Sequence, residues 1–325
     1  MSTHIVNQIQ HHALRSDNTL HVVAVVSNPE RYHSRYRLAH DFIGRMRTTP
    51  CVQLHVVEAA HGDREHEVAG HAEEAGASAL RLRTTTNAWT KENMINLGVR
   101  HLLPADWRYL AWVDADVEFR NEGWAQETLH QLQHFAVVQP WQHCADLGHL
   151  GAIMQTHTSF GYRTQAGERI QRWSGEPYPY GHSGFAWACT RAFWEQVEGL
   201  PDFCILGSAD HHAAWAMIGD VDSTIHGGMS PAFFRRLREW QARAVRVTHG
   251  EVGFTVGRIE HAFHGPKGRR YYRERWQILV DHGFDPDADL MKDAQGVVHI
   301  VGKPALEAAI RKYNRSRHED SIEET

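Results

Sequence analysis

The amino-acid sequence predicts an α/β protein, with a mixed, mostly parallel sheet flanked by helices in a single domain. The first observation is the mostly β-branched apolar run LHVVAVV over 20–26, typical of a strand buried on both faces. The second is the alternation of strand-like and helix-like segments as far as residue 119. Such alternation indicates a largely parallel sheet covered by helices. The third is the composition, with 42% hydrophobic and 22% charged residues among 325, typical of a globular protein.

The elements of the first part are predicted in the order β-α-β-β-α-β. A helix over 31–47 presents Leu38, Phe42 and Met46 on one face. The polar stretch over 61–77 is predicted as a loop with a short helix. The other segments are strands over 52–60, 79–86 and 109–119 and a helix over 90–103.

Beyond residue 120 the pattern is looser. The predicted elements there are a helix over 123–135, a strand over 136–141, a strand and helix over 185–197, and a helix opening at 210. Residues 142–184 are predicted as a long connection, rich in Gly, His, Trp and Tyr. Long connections of this kind are usually functional or mobile.

Several features of the sequence indicate the domain organisation and the cellular compartment. No internal repeat or low-complexity linker interrupts residues 19–300, which favours one domain there, with a tail over 1–18 and a helix with a disordered end over 301–325. The N-terminus does not read as a signal peptide, and no uncharged apolar run reaches about 18 residues. Four scattered cysteines suit a reducing compartment. We expect a cytoplasmic protein, in the host cytoplasm if a phage encodes it.

Asp114 and Asp116 follow an apolar strand directly, in the stretch YLAWVDADVEF. A carboxylate beside a core is costly unless it is paired or binds a metal. In extended backbone alternate side chains share a face, so both carboxylates can converge on one Mg²⁺ or Mn²⁺ ion. The alternative is a turn in which the acids cap the next element.

Two later stretches also carry candidate chemistry. In IEHAFHGPKGRRYYRERWQIL, His261 and His264 are candidate metal ligands, and a basic cluster follows that can neutralise phosphate. That cluster comprises Lys267, Arg269, Arg270 and Arg273. In LPDFCILGSADHHAAWAMIG, Asp210 is either a general base in a cleft or a helix N-cap. The alternative for the basic stretch is a solvated surface loop and helix.

Taken together and in this order, these stretches resemble the GT-A glycosyltransferases, which have a Rossmann-like fold. The likeness is strongest to family 2-like members of bacterial or phage type. It covers roughly residues 20–290 and includes the block WTKENMINLGVRHLLPADWRYLAWVDADVEF and the segment GFAWACTRAFWEQVEGL. The resemblance implies a nucleotide-sugar-binding half over 19–120 and an acceptor half over 121–300.

The resemblance also implies roles for individual residues. Asp114, Asp116 and His264 match the metal site, and Asp210 matches the catalytic base of inverting members. Many members have two acids where this chain has ADHH, so His211 could share or replace the role of Asp210. The donor-binding positions are Ser27, Asn28, Arg31, Lys91, Asn96, Asp114, Lys267, Arg269 and Arg270. The acceptor-binding positions are Trp141, Gly184, Phe185 and Trp187. From their chemistry alone, Trp141, Trp173, Tyr178, Tyr180 and Trp187 suit the apolar faces of sugars or bases, and the alternative is that they are core residues.

The expected function is a transfer of a sugar from a nucleotide-sugar, most commonly a UDP-sugar, to an acceptor hydroxyl with Mn²⁺ or Mg²⁺ as cofactor. Inversion of configuration at the anomeric carbon is expected if Asp210 is the general base. Two alternatives remain open at this point, a non-catalytic nucleotide-sugar or carbohydrate-binding module with the same fold and a metal-dependent phosphoesterase.

The acceptor is not identified by the sequence. A glycan, a protein, a small molecule and DNA carrying a modified base are all open, since basic residues stand beside aromatics in FFRRLREWQARAVR. A formal net charge of -5 gives no global basic field for nucleic acid. Oligomeric state is also left open.

Overall fold

The structure is a computed structural model that describes residues 19–167, 181–272 and 274–322. The strands are β1 Leu20–Ser27, β2 Val52–His61, β3 Ser78–Thr84, β4 Tyr109–Val113, β5 Val117–Phe119, β6 Val137–Gln139, β7 His143–Leu147, β8 Ile153–Thr158, β9 Ala186–Thr190, β10 Gly253–Phe254, β11 Arg258–His261, β12 Leu290–Lys292 and β13 Val298–Ile300.

The α-helices of the described residues lie mainly between these strands. They are α1 His33–Thr48, α2 Ala69–Glu74, α3 Lys91–Leu102, α4 Trp124–Gln131, α5 Phe160–Gln165, α6 Arg191–Val197, α7 Ala209–Met217, α8 Pro231–Thr248, α9 Arg275–Asp281 and α10 Pro304–Ser316. No helix in the described ranges is long and apolar enough to cross a bilayer.

The predicted mixed, mostly parallel sheet is confirmed. Its seven strands have the order β10-β6-β9-β4-β1-β2-β3, and only β9 runs antiparallel to its neighbours. Because β6, β9 and β10 belong to the part beyond residue 120, both predicted halves contribute to one sheet. A four-stranded sheet, β5-β11-β7-β8, and the hairpin β12-β13 complete the described strands.

Apolar stripes explain how the helices cover the sheet. The buried residues of α1 recur at helical spacing, Leu38, Ala39, Phe42, Ile43 and Met46. On α3, a Cβ added to Gly98 would lie 2.8 Å from Val57 Cγ2 and 3.0 Å from Val23 Cγ1. The glycine therefore lets α3 approach β1 and β2 closely, and this approach places the first residue of α3 beside the end of β4.

The structure corrects the predicted strand over 109–119. It is two strands, because the backbone turns at Asp114, where the N–H of Val117 donates to the carbonyl oxygen of Asp114 at 3.3 Å. β4 belongs to the seven-stranded sheet, and β5 belongs to the four-stranded sheet. The two aspartates therefore lie where the chain passes from one sheet to the other.

Two further expectations differ from the structure. The predicted long connection over 142–184 contains β7, β8 and α5, with residues 168–180 outside the described ranges. The predicted disordered end after residue 316 is wrong for residues 317–320, where Arg317 and Glu319 are buried and Asp320 binds the start of α1. The tail is polar in sequence, but its charges are satisfied by partners far away along the chain. The predicted tail over 1–18 lies outside the described residues.

Candidate active site

A cleft of about 990 Å³ opens at the ends of β1 and β4, the edge at which open α/β sheets bind ligands. Ser27 and Asn28 at the end of β1 line it, as do Asp114 and Asp116 after β4. Asp210 lines it from the first turn of α7. The other predicted site residues in its wall are Lys91, Gly184, Phe185, His211, His261, His264, Lys267 and Arg270.

Asp116, His261 and His264 form a cluster whose ligand atoms all lie within 4.8 Å of one another. His264 Nε2 is 3.0 Å from Asp116 Oδ2, and His261 Nε2 is 3.7 Å from the same oxygen. The two Nε2 atoms are 3.2 Å apart. Backbone pairing explains the cluster, because Val117 faces His261 in the antiparallel β5–β11 ladder.

Asp146 determines which nitrogen of His261 faces the cluster. Its Oδ1 lies 2.7 Å from His261 Nδ1, and a carboxylate can only accept, so Nδ1 donates. The parallel β7–β11 ladder places the two residues side by side. Burial opposes ionisation of Asp146, but hydrogen bonds from His157 and His261 and the charge of Lys267 hold its pKa well below the ordinary value.

This cluster fits a divalent cation. With Nδ1 protonated, His261 directs the other nitrogen towards His264 and Asp116, and Asp116 Oδ1 is buried without a hydrogen-bond partner among the described residues. Although burial opposes it, Asp116 and Asp146 raise the pKa of His261 to about 9, so a proton supplies positive charge in the metal-free protein. A metal would replace that proton, and Mn²⁺ accepts imidazole and carboxylate ligands.

Arg270 covers the cluster from the loop after β11. Its Nη2 lies 2.8 Å from His264 Nε2, and its Nη1 lies 3.2 Å from the hydroxyl of Tyr272. The same Nη2 lies 3.3 Å from His264 Nδ1, so the guanidinium lies over the imidazole and places a positive charge beside the cluster. The same loop therefore carries a metal ligand and a cation that can bind an anion beside it.

Asp114 is not part of the cluster. Its carboxylate forms a salt bridge with Lys91, the first residue of α3. Burial opposes ionisation of the lysine, but Asp114 and Glu92 raise its pKa. Burial also raises the pKa of Asp114, with Lys91 opposing and Asp116 adding to the rise. The two predicted metal-binding acids thus have different partners in this structure.

Glu92 adds a buried carboxyl group beside this pair. Burial raises its pKa to about 8, with Lys91 opposing and the charges of Asp210 and Asp114 adding to the rise. It is therefore mostly protonated at neutral pH. The charge of Asp210 contributes to the pKa shifts of both Lys91 and Glu92, and the start of α3 and the start of α7 line the same cleft.

Asp210 is not the N-cap of α7, so the second interpretation of its sequence position is excluded. The N-cap is Ser208, which has a φ of 70° and whose hydroxyl accepts from Arg275 at 2.5 Å and from Trp276 at 3.0 Å. Asp210 Oδ1 accepts from the N–H of His211 at 2.9 Å, and its carboxylate lines the cleft. Burial lowers the pKa of His211 to about 4 against the effect of Asp210, which keeps the imidazole neutral at pH 7.

Gly184 and Phe185 line the cleft between these groups. A Cβ on Gly184 would lie 2.8 Å from His182 Cε1 and 3.0 Å from Asp210 Oδ2, so a side chain there would collide with the wall. The ring of Phe185 stacks on His182 with centroids 4.2 Å apart and lies 4.9 Å from the ring of His261. Phe185 thus joins the apolar core to the side of the candidate cation-binding cluster.

Some predicted site residues lie outside the cleft wall. Trp141 and Trp187 are core side chains with 1% and 2% exposure, and Trp187 Nε1 donates to the carbonyl of Ser183. The amide of Asn96 exchanges hydrogen bonds with the backbone of Leu200 at 3.0 and 2.8 Å, which ties α3 to the loop after α6.

Two predicted cations also lie outside the wall. Arg31 has a side chain that is 61% exposed, 3.9 Å from Glu67, and Arg269 belongs to the same loop as Arg270 but does not line the cleft. The predicted residues Trp173, Tyr178, Tyr180 and Arg273 lie outside the described residues.

The wall also contains charged residues that sequence reasoning did not select. They are Glu30, Arg35, Glu92, Asp146, Arg275 and Arg317. For Arg35 a signal exists, because it precedes Leu38 and Ala39 by three and four positions and so continues the buried stripe of α1. Arg31, which was selected, lies before the helix begins.

Comparisons with known proteins bear on the fold. No protein-family model matches the chain, and no curated protein matches it significantly. A mannosyltransferase from Pyrobaculum calidifontis, in complex with GDP-Man and Mn²⁺, is 13% identical with a TM-score of 0.44, over 91% of this chain and 73% of that one. Glucosyl-3-phosphoglycerate synthase from Mycobacterium tuberculosis, in complex with Mg²⁺ and UDP, is 11% identical with a TM-score of 0.41, over 90% of both chains.

A third similar structure is S. aureus TarS 1-349 in complex with UDP-GlcNAc, 11% identical with a TM-score of 0.39. That match covers 75% of this chain, which spans only 58% of the TarS chain. At this level of similarity the likeness concerns the fold alone and transfers no activity.

Proposed function

We propose that this protein is a metal-dependent glycosyltransferase that transfers a sugar from a nucleotide-sugar to an acceptor hydroxyl. The observation that carries the proposal is the convergence of three kinds of group in one cleft. They are the cation-binding cluster of Asp116, His261 and His264, the cations Lys91 and Arg270, and the carboxylate of Asp210.

The metal, Mn²⁺ or Mg²⁺, would be held by Asp116, His261 and His264. When bound, it supplies positive charge that stabilises the departing nucleoside diphosphate without proton transfer. Asp146 holds the Nδ1 proton of His261 and so keeps Nε2 directed at the metal. Lys91, at the start of α3, and Arg270, in the loop after β11, would supply further charge to the diphosphate.

Asp210 is the proposed general base. The acceptor oxygen gives its proton to Asp210 and forms a bond to the anomeric carbon of the donor sugar. The bond between that carbon and the diphosphate oxygen breaks, and its electron pair leaves with the nucleoside diphosphate. Attack opposite the leaving group inverts the anomeric centre. His211 is the weaker candidate, because the pKa of about 4 makes the imidazole a poor base at neutral pH.

The arginines of α8 that raised the possibility of a nucleic-acid acceptor are paired with acids. Arg235 and Arg236 both contact Asp287, and Arg238 contacts Asp222 at 2.8 Å. Neutralised cations contribute little to phosphate binding. We therefore place a sugar or small-molecule hydroxyl ahead of DNA as the acceptor.

The two alternatives receive less support. Two-metal phosphoesterases need more acids close together, and the described residues hold one three-ligand cluster. A binding module without chemistry would be favoured if Asp210 pointed away from the cleft, and it lines the cleft.

The proposal is tested by incubating the protein with UDP-, GDP-, ADP-, CDP- and dTDP-sugars, with and without Mn²⁺, and measuring release of nucleoside diphosphate. We expect release from one nucleotide class that requires Mn²⁺ and rises when a panel of glycans and small alcohols is added. Mass spectrometry of the acceptors then identifies the product. Release of a nucleoside monophosphate and a sugar phosphate in place of nucleoside diphosphate would support the phosphoesterase, and no release from any donor would support the binding module.

A further inference from the structure

The C-terminal residues 317–320 form a buried clasp against the candidate metal site. Glu319 is 2% exposed although it lies close to the chain end. Its carboxylate accepts from Arg35 Nε at 2.5 Å and Nη2 at 2.7 Å, and from Arg317 Nη2 at 2.8 Å. Glu319 Oε2 also lies 3.5 Å from Nδ1 of His264. Two arginines and a candidate metal ligand therefore meet at one carboxylate.

The clasp is anchored independently of the metal site. Helix α1 has no side-chain cap from its own N-cap residue. Asp320 supplies the cap, because its carboxylate accepts from the backbone N–H groups of His33 and Ser34, both at 2.8 Å. The hydroxyl of Ser34 also donates to the carbonyl of Glu319 at 3.3 Å. Asp320 therefore fixes the C-terminal segment to α1, and the neighbouring Glu319 faces His264.

The backbone beside the metal site is shaped to admit the clasp. Gly265, with a φ of +86°, follows His264 directly. A Cβ at Gly265 would lie 2.7 Å from the Cα of Glu319 and 3.0 Å from the carbonyl oxygen of His318. This contact is possible only without a side chain, so the loop after β11 and the C-terminal segment fit each other at the residue next to His264.

We propose that Glu319 is a positioning residue that orients His264 for the metal, an inference that rests on the proposed function. A cation at His264 Nε2 would require the ring proton on Nδ1, which lies 3.5 Å from Glu319 Oε2, and a carboxylate only accepts. A carboxylate on the far nitrogen of a metal-binding histidine fixes the tautomer and the ring orientation. Asp146 has the same relation to His261. The two histidines are thus oriented by two buried carboxylates, one of them from the chain end.

The test measures Mn²⁺ affinity, from the electron paramagnetic resonance signal of free Mn²⁺, in the wild type, E319Q and D320N. Both substitutions keep side-chain shape and remove one negative charge, but Asp320 contacts only α1 among these elements. We expect E319Q to weaken Mn²⁺ binding by about 10- to 100-fold. D320N should lower the melting temperature and change Mn²⁺ affinity by less than about threefold.

A second measurement needs no substitution. Because coupling between two sites is reciprocal, Mn²⁺ should slow amide hydrogen exchange in residues 317–322 of the wild type. Three results would overturn the inference. They are unchanged Mn²⁺ affinity in E319Q, equal losses of affinity in E319Q and D320N, and exchange of 317–322 that Mn²⁺ leaves unchanged. A wild type that binds no Mn²⁺ would overturn the proposed metal site as well, which distinguishes the two failures.

Discussion

Asp114 and Asp116 are separated by one residue, yet the carboxylate of Asp114 is paired with Lys91 while that of Asp116 faces two histidines. The turn between β4 and β5 separates them. Asp114 directly follows β4 of the seven-stranded sheet, and Asp116 directly precedes β5 of the four-stranded sheet. A short acidic motif has thus been divided between two tasks. Asp116 is available to a cation, and Asp114 holds a lysine at the cleft wall.

The pair of Lys91 and Asp114 should contribute to stability. Both side chains are mostly buried, with 19% and 27% exposure, so K91A leaves a poorly solvated carboxylate without its partner. We expect K91A to lower the free energy of unfolding by about 1–3 kcal/mol, measured by urea titration without metal. The matched control is K292A, which breaks the more exposed pair with Asp202 and should cost less than about 1 kcal/mol. Equal costs for the two variants would contradict this prediction.

Asp210 and His211 can be separated by their effects on turnover. D210N should lower kcat by about 10²- to 10⁴-fold, because it removes the group that takes the acceptor proton. Binding of Mn²⁺ and nucleotide should change little in this variant. The kcat of H211N should stay within about tenfold of the wild-type value, since the pKa of about 4 makes His211 a poor base in the wild type. A larger loss of kcat in H211N than in D210N would show that His211, and not Asp210, is the general base.

Glu92 should make stability depend on pH. Its folded pKa of about 8 lies above the ordinary value of 4.5, so between these values the folded state binds a proton that the unfolded state has released. Stability contributed by this group is complete below pH 4.5 and falls as pH rises, by about 1.4 kcal/mol per pH unit, until pH 8.

The variant E92Q lacks this proton equilibrium. Its free energy of unfolding, minus that of the wild type, should therefore rise between pH 5 and pH 8 and level off above it, in urea titrations at each pH. A difference that stays constant over this range would show that Glu92 is ionised in the folded protein at neutral pH.

Much of the fold followed from local patterns. The apolar run of β1 predicts a central strand, and β1 pairs with parallel strands on both sides. The stripe Leu38, Phe42 and Met46 predicts the buried face of α1, and all three are buried. The turn at Asp114 was only the alternative interpretation, because YLAWVDADVEF has the composition of one continuous strand and the switch between sheets depends on pairing with β9 and β11.

The candidate site, like the fold, was predictable from local sequence patterns only in part. Asp116, Asp210 and His264 stand beside recognisable strand ends and glycine turns, and all three line the cleft. Asp146 lies in a segment without clear periodicity, so its position beside His261 follows only from the β7–β11 ladder. Glu319 belongs to a short polar tail, and its burial depends on Arg35, 284 residues earlier in the chain. No local pattern indicates a contact over such a separation.

The central claim is that the cleft binds a diphosphate through a cation held by Asp116 and the two histidines. It is tested most directly by titrating the wild type and D116A with Mn²⁺ in the presence and absence of UDP, GDP, ADP and CDP, following free Mn²⁺ by electron paramagnetic resonance. D63A, a change of the same type at an exposed aspartate, is the control. We predict that one nucleotide tightens Mn²⁺ binding to the wild type and D63A by at least about tenfold, and that D116A loses both the metal and this coupling. Nucleotide binding that is equal with and without Mn²⁺, and unchanged in D116A, would contradict the account.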